Sequence, residues 1–398
     1  MALAIRVALS LLILTIALHG QTNAQNESLV PIPEQWDGFT IPTSEPSSGP
    51  VAEMARTPAT PTPAPLPYVE EPSAPPAPVP APYTTGSLAS AATPEAACPE
   101  LIEDCDGPAW TVYSDALFLH RSRSDRAALV TDSFAPGGNV LLNGADFSFD
   151  TEAGFRVGLI RHNVLGTAWD LEGLYFGIDG WRGTMGPVYS ADGAATQFVN
   201  PLGNTVTPAD VWASYRSELH NVEVNGRRPI RDWLSVLAGF RYLELNEGLT
   251  MFQDIGPGTN LARVAVDATN HLAGFQLGLD GRVWNRGRLE LDCVLKAGIY
   301  ANDAENDVRI TQTASLPPLG SAASENHTAF VGEIGLTGVY RLSRGWAIRG
   351  GYQLLWIEGV ALASDQVAVS DPDNGLATVD TSGSPFYHGA FVGLEFRR

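Results

Sequence analysis

From Trp110 to the C-terminus the chain alternates, segment after segment, between apolar residues and polar or small ones with a period of two. That spacing places successive side chains on opposite faces of an extended strand. The clearest segment runs from Leu289 to Ala301, where Leu289, Leu291, Cys293, Leu295, Ala297, Ile299 and Ala301 alternate with Glu290, Asp292, Val294, Lys296, Gly298 and Tyr300. Phe149, Thr151, Ala153, Phe155, Val157 and Leu159 alternate in the same way with Asp150, Glu152, Gly154, Arg156 and Gly158. Comparable runs cover about 110–120, 166–179, 211–225, 232–247, 270–284, 327–341, 345–358 and 385–397. The pattern predicts about ten strands, ten to twelve at most, each of the roughly 9 to 11 residues or more that a tilted membrane strand needs.

A soluble sandwich alternates too, so the connections decide. Those at 162–166, 226–231, 285–287 and 342–345 are short, whereas those at 121–146, 180–210, 248–269, 304–326 and 359–384 each exceed 20 residues. Short turns at one end and long loops at the other are the pattern of an outer-membrane barrel, and an even strand number returns both termini to the periplasmic side. The fold class expected is therefore all-β, a transmembrane antiparallel up-and-down barrel over 110–398. Gly193, Gly203, Pro317, Pro318, Gly320, Pro372 and Gly375 mark the loops 180–210, 304–326 and 359–384 as exposed, mobile and outward-facing.

The N-terminus supplies the route. Arg6 is followed by an apolar run from Val7 to Leu18 and then by Thr22-Asn23-Ala24, which reads as a signal peptide over 1–24, cleaved after Ala24. The run of about 12 residues is too short to span a bilayer, for which a helix needs roughly 20. No later segment is long and apolar enough to do so, and an open sheet edge cannot be satisfied in lipid, so insertion requires a closed barrel. Residues 25–109 are rich in Pro, Ala, Ser and Thr, as in Thr57-Pro58-Ala59-Thr60-Pro61-Thr62-Pro63. Such a segment has too little to bury to offset the entropy of ordering, and reads as a disordered tether: a plain linker, or a spacer contacting the cell wall or a periplasmic partner. Within it Cys98 and Cys105 are spaced to close a small disulfide loop in an oxidising compartment. Cys293 reads as a small packing residue.

Charge and motifs narrow the function. A net charge of -20 excludes a general affinity for nucleic acid. The His residues lack metal-ligand spacing, no cofactor motif is present, and no Gly-x-Ser-x-Gly elbow, phosphate loop or His-Glu-x-x-His helix occurs. The polar candidates are inward-facing charges: Glu152, Arg156, Glu218, Arg241, Glu290, Lys296, Glu333 and Arg349, with Gln353 beside them. In a barrel of about ten strands such groups form ion pairs that plug the lumen, or line a narrow solute path. Trp346, Tyr352 and Trp356 share one strand face opposite Arg349 and Gln353, which assigns them to an aromatic girdle at the lipid boundary. The function expected is a non-enzymatic outer-membrane barrel with a structural or surface-display role and a largely plugged lumen. The alternatives are a narrow porin-like channel and a rim hydrolase using His327 or His388 with Asp365, Asp371 or Asp373.

Ser217-Glu218-Leu219-His220-Asn221-Val222-Glu223-Val224-Asn225, a basic turn, and then Leu237-Ala238-Gly239-Phe240-Arg241-Tyr242-Leu243-Glu244-Leu245-Asn246-Glu247 resemble the β-barrel porin family abundant in planctomycetes. Gly154-Phe155-Arg156-Val157-Gly158-Leu159 and the segment from Trp169 to Gly177 are similar to it as well. The resemblance covers about 110–398 and implies an outer-membrane barrel with no catalytic residues to carry over.

One measurement tests the N-terminal reading. The intact mass of unreduced protein from outer membranes should match a chain beginning at Gln25 and carrying one disulfide; free thiols at both Cys98 and Cys105 would refute that pairing.

Overall fold

The computed structural model describes residues 108–124, 126–132, 138–189, 197–198, 210–254, 261–312 and 317–398. The segments read as a signal peptide and as most of a Pro-rich tether, together with Cys98 and Cys105, lie outside them. Ten strands close into an antiparallel barrel: β1 (Trp110–Arg121), β2 (Glu152–Arg161), β3 (Asp170–Val188), β4 (Val211–Arg231), β5 (Leu234–Asp254), β6 (Leu261–Arg286), β7 (Leu289–Gln312), β8 (Leu319–Arg341), β9 (Trp346–Glu358) and β10 (Phe386–Arg397). Each strand pairs with the next, and β1 pairs with β10 from Thr111↔Arg397 to Arg121↔Tyr387. Where all ten strands pair, the ring leaves no free sheet edge, which is the condition for a sheet to sit in lipid; β8 pairs with β9 only from Phe330 onward. No helix among the described residues is long and apolar enough to cross a membrane.

The strand number follows the sequence pattern; the strand lengths do not. β4 to β8 run for 21 to 26 residues, so much of what the alternation assigns to the loops 248–269 and 304–326 is strand. The reason is an inversion of polarity along each tall strand. Near the short turns the outer face is apolar, with Val222 and Val224 on β4 and Phe275, Leu277 and Leu279 on β6, while the inner face holds Asn221, Glu223, Asn225 and Gln276. Towards the long loops the faces exchange character. Val211, Ala213, Tyr215 and Leu219 of β4 and Val264, Val266 and Ala268 of β6 are now buried inside, and Arg216, Glu218, Arg263 and Asp267 point outward. The lower part is built to meet lipid and the upper part to meet water. These five strands therefore form a wall standing beyond the lipid-facing belt.

An apolar inner wall must be covered. Two of the long connections supply cover, and Phe198 from a third, between β3 and β4, joins the same cluster beside Val130. After β1 the chain turns inward and places Leu129, Val130, Leu142, Phe147 and Phe149 in the core beside Trp181 of β3. The connection between β9 and β10 contributes Val360, Ala361, Leu362, Ala363 and Val367, the last two from helix α1 (Ala363–Val369). The expectation of an exposed, mobile loop over 359–384 is thus corrected for its first half: Val360 to Val367 are buried, because without them the inner faces of β5 to β7 would be wet.

Amide side chains fix this segment in place. Asn270 Nδ2 donates to the Ala361 carbonyl at 2.8 Å and its Oδ1 accepts from the Ala361 N–H at 2.7 Å. Asn302 Nδ2 donates to the Gly359 carbonyl at 3.0 Å, and Asn306 Nδ2 reaches both Ser370 Oγ and the Thr378 carbonyl at 3.0 Å. Three inward asparagines thus stand in for the ladder partners that this irregular backbone lacks.

Replacing Asn270 with Ala strands a buried N–H and a buried C=O, each at a cost of about 1–3 kcal/mol. We expect Asn270→Ala to lower unfolding stability in urea measurably, and to render the 359–384 segment sensitive to protease in a barrel that still migrates as folded on unheated gels.

Candidate functional site

The described lumen is filled in tiers. Closest to the short turns, Arg341 Nη2 contacts Glu290 at 2.8 Å, Arg397 approaches the same carboxylate at 3.8 Å, and Arg227 bridges Glu172 at 3.1 Å and Asp280. One tier deeper, Asp115 receives Arg156 at 2.7 Å and Arg349 at 3.3 Å. Arg156 also donates to Gln353 at 2.8 Å and stacks over Phe391 at 4.2 Å, as Arg349 does over Tyr113 at 3.9 Å.

Beyond these lies a buried four-membered network. Glu223 faces Lys296 at 2.9 Å and Arg241 at 3.2 Å, while Glu333 faces Arg241 at 2.8 Å and Lys296 at 3.4 Å. Gln276 and Asn221 take up remaining donors and acceptors: Gln276 donates to Glu223 at 2.7 Å, and Arg241 Nε donates to Asn221 at 2.6 Å. Two carboxylates against two cations make the cluster neutral, and the amides satisfy what the ion pairs leave over. That is the condition under which buried charge is tolerated.

A last ionic tie sits where β1 ends. Arg121 pairs with Glu247 and lies over Phe149 at 4.3 Å. Glu247 also accepts from Tyr215, from Ser217 at 3.1 Å and from the Ala363 N–H at 3.3 Å. One carboxylate thereby joins β1, the tall wall and the inward-folded connection. Between the turn-side mouth and the four-membered network lies a cavity of about 690 Å³, bounded by Pro108, His162 and Trp233 at one end and by Lys296, Glu333 and Gln353 at the other.

Of the lumen charges read from the sequence, Arg156, Arg241, Glu290, Lys296, Glu333 and Arg349 all take part in these inward contacts. Glu152 lies opposite the inward Leu119 and shares its face. Glu218 is corrected: Ser217 and Leu219 on either side of it are buried inward, so it faces out. It stands in the upper part of β4, where the outer face meets water, and the inward carboxylate of this strand is Glu223. Trp346, Tyr352 and Trp356 share the outer face of β9, with the Trp346 ring tilted against that of Phe396 at 5.0 Å. Cys293 is a free, half-buried thiol on the outer face of β7.

The candidate residues of a rim hydrolase occupy unlike settings, Asp371 half-buried and Asp373 exposed. His388 is on the outer face, hydrogen-bonded to Tyr352 at 2.6 Å, Asp365 is buried in α1, and His327 lies exposed on β8. Among the described residues no three His, Cys, Asp or Glu side chains gather as a metal site. The Tyr352–His388 pair is one of three alike. Tyr175 and His220 lie 3.1 Å apart, and Tyr242 and His271 2.8 Å apart. Each histidine sits two residues along from the tyrosine's cross-strand partner. A residue-by-residue reading misses such pairs, since their signal lies in the register between strands.

A closed ten-stranded sheet with a lipid-facing apolar belt, short turns at one end and a charged interior defines an outer-membrane β-barrel. More particularly, the chain belongs to the family described as Putative beta barrel porin-7, whose model matches residues 135–385. No curated protein matches the chain. Solved structures with a similar course include the outer membrane protease OmpT from Escherichia coli (7% identity, 73% of this chain and 96% of that chain, TM-score 0.42). The translocator domain of autotransporter NalP from Neisseria meningitidis is similar too (12% identity, 74% and 90%, TM-score 0.36), as is the Ralstonia pickettii toluene transporter TbuX (11% identity, 73% and 92%, TM-score 0.28). At these scores the likeness bears on no question of activity.

The network makes a quantitative expectation. Glu223→Gln leaves Arg241 and Lys296 short of a counter-charge and should cost about 3–5 kcal/mol. Adding Lys296→Met in the same chain should recover part of that loss. Additive losses in the double-mutant cycle would mean that the two groups do not interact.

Proposed function

We propose that this barrel is a closed, non-enzymatic scaffold of the outer membrane, whose tall wall presents a surface outside the cell. The observation that carries the reading is a lumen stopped twice by unlike means. The four-membered ion network of Glu223, Arg241, Lys296 and Glu333 fills it at the level of the belt, and the apolar core of inward-folded connections fills it above. An ion crossing the first would have to part neutralised charges, and crossing the second would require leaving water altogether. The wall supports display: β4 to β8 extend beyond the belt, and their outward residues there include Ser214, Arg216, Glu218, Asn246, Asp267, Asp303 and Glu305, a solvated face on a rigid sheet. In this reading the chain is exported by its signal peptide, and the Pro-rich segment tethers the barrel on the periplasmic side.

A narrow channel is the second reading, favoured by the 690 Å³ cavity on the turn side. It would require both stops to move. Purified protein in planar bilayers should give no stepwise conductance. Removing residues 361–382 alone should leave it closed, because the ion network and the inserted connection after β1 persist, and opening it should require that deletion together with removal of residues 126–149 and with Arg241→Ala and Lys296→Ala. Steady conductance from the unaltered chain would overturn the closed-scaffold reading.

A further inference from the structure

Arginines inside this barrel and arginines at its turn-side rim are treated differently. Inside, Arg121, Arg156, Arg241 and Arg349 each face a carboxylate within the barrel. At the rim, Arg161, Arg228 and Arg286 stand on the outer face at the turn-side ends of β2, β4 and β6, and none has a carboxylate partner among the described residues. The four short turns, 162–169, 232–233, 287–288 and 342–345, contain one acidic side chain, Asp232. This local basicity occurs in a chain of net charge -20.

The rim arginines also have aromatic neighbours that belong at a lipid boundary. Arg161 lies 4.9 Å from the centre of the Trp110 ring, and Arg228 lies 5.5 Å from that of Trp169. Trp284, half exposed, precedes Arg286 on the same outer face of β6. An indole settles at the junction of acyl chains and headgroups, and a guanidinium held against it is then at the depth of the lipid phosphates. Its planar fork matches a phosphate bidentately; Arg161 Nη1 donates to the Ala109 carbonyl at 2.8 Å, but no carboxylate among the described residues supplies the counter-charge that each of the three guanidiniums needs at that depth.

We infer that the turn-side rim is a binding surface for anionic phospholipid headgroups, with Arg161, Arg228 and Arg286 as the phosphate-contacting groups and Trp110, Trp169 and Trp284 fixing their depth. The inference requires a membrane-spanning barrel and is independent of whether the lumen conducts. It also gives the rim a selectivity that an aromatic girdle alone lacks, since indoles do not distinguish charged from neutral headgroups.

The test uses the full-length protein refolded into phosphatidylcholine vesicles with and without phosphatidylglycerol, read by native mass spectrometry of retained lipid. Wild type should retain phosphatidylglycerol in preference, by up to about fivefold for each arginine engaged, and the preference should fall as salt is raised. The triple variant Arg161→Gln, Arg228→Gln, Arg286→Gln should lose it, and the corresponding lysine variant should keep much of it. Equal retention of both lipids by wild type, or an unaltered preference in the glutamine variant, overturns the assignment. Should the glutamine variant fail to refold, the wild-type salt series decides: a preference that salt does not weaken refutes the inference.

Discussion

Closure of β10 onto β1 is the contact on which the molecule depends. Every backbone N–H and C=O in the belt must find its partner inside the sheet, because lipid offers none, and the pairing from Thr111↔Arg397 to Arg121↔Tyr387 completes the ring. Once the ring is closed, the outside must be apolar and the inside must be filled. Ten strands leave an interior wider than the side-chain-filled eight-stranded barrels, yet far narrower than porins of 16 strands and more. Long side chains and short inserted segments are what fit.

The molecule fills that interior with two chemistries, each at the level where it is cheapest. In the belt, charges cancel in pairs and amides complete them, as around Glu223 and Glu333. Removing one member of such a cluster is costlier than never having had it, so the network constrains its own members jointly. Above the belt the strands have water outside, so their inner faces take over the apolar side chains. Val264, Val266, Leu249 and Met251 bury there against Leu129, Phe147, Leu362 and Val367 from the inward-folded connections. The tall wall and the inserted segments therefore need each other: neither apolar surface would be stable in water alone.

The same exchange of polarity explains what could be read from the sequence and what could not. Period two revealed all ten strands, and the alternation of short and long connections revealed the barrel. Where polarity inverts, an apolar-out pattern ends before the strand does, so 248–269 and 304–326 look like loops in the sequence although much of each is strand. Glu218 fell to the same cause: in the upper part of β4 a charge belongs outside, whereas five residues later Glu223 belongs inside. The asparagines at 270, 302 and 306 did carry a signal, as amides set among Val264, Val266, Ala268, Ala304 and Val308 on apolar inner faces. What they hold, the backbone from Gly359 to Thr378, is set by tertiary folding that no local pattern encodes.

Glu247 shows how these levels are joined. It sits at the boundary between charged and apolar filling, pairs with Arg121 at the end of β1, and receives a backbone N–H from the first residue of α1. Phe149 lies against the same guanidinium. Both inserted connections therefore converge on one ion pair that also touches the closing strand. An apolar contact there could have contributed as much burial, but it would have accepted many arrangements. A carboxylate shared among a guanidinium, a phenol, a hydroxyl and a peptide N–H accepts few. The register of the inserted segments against the wall follows from that directionality, and the apolar core supplies the larger share of the energy that holds them there.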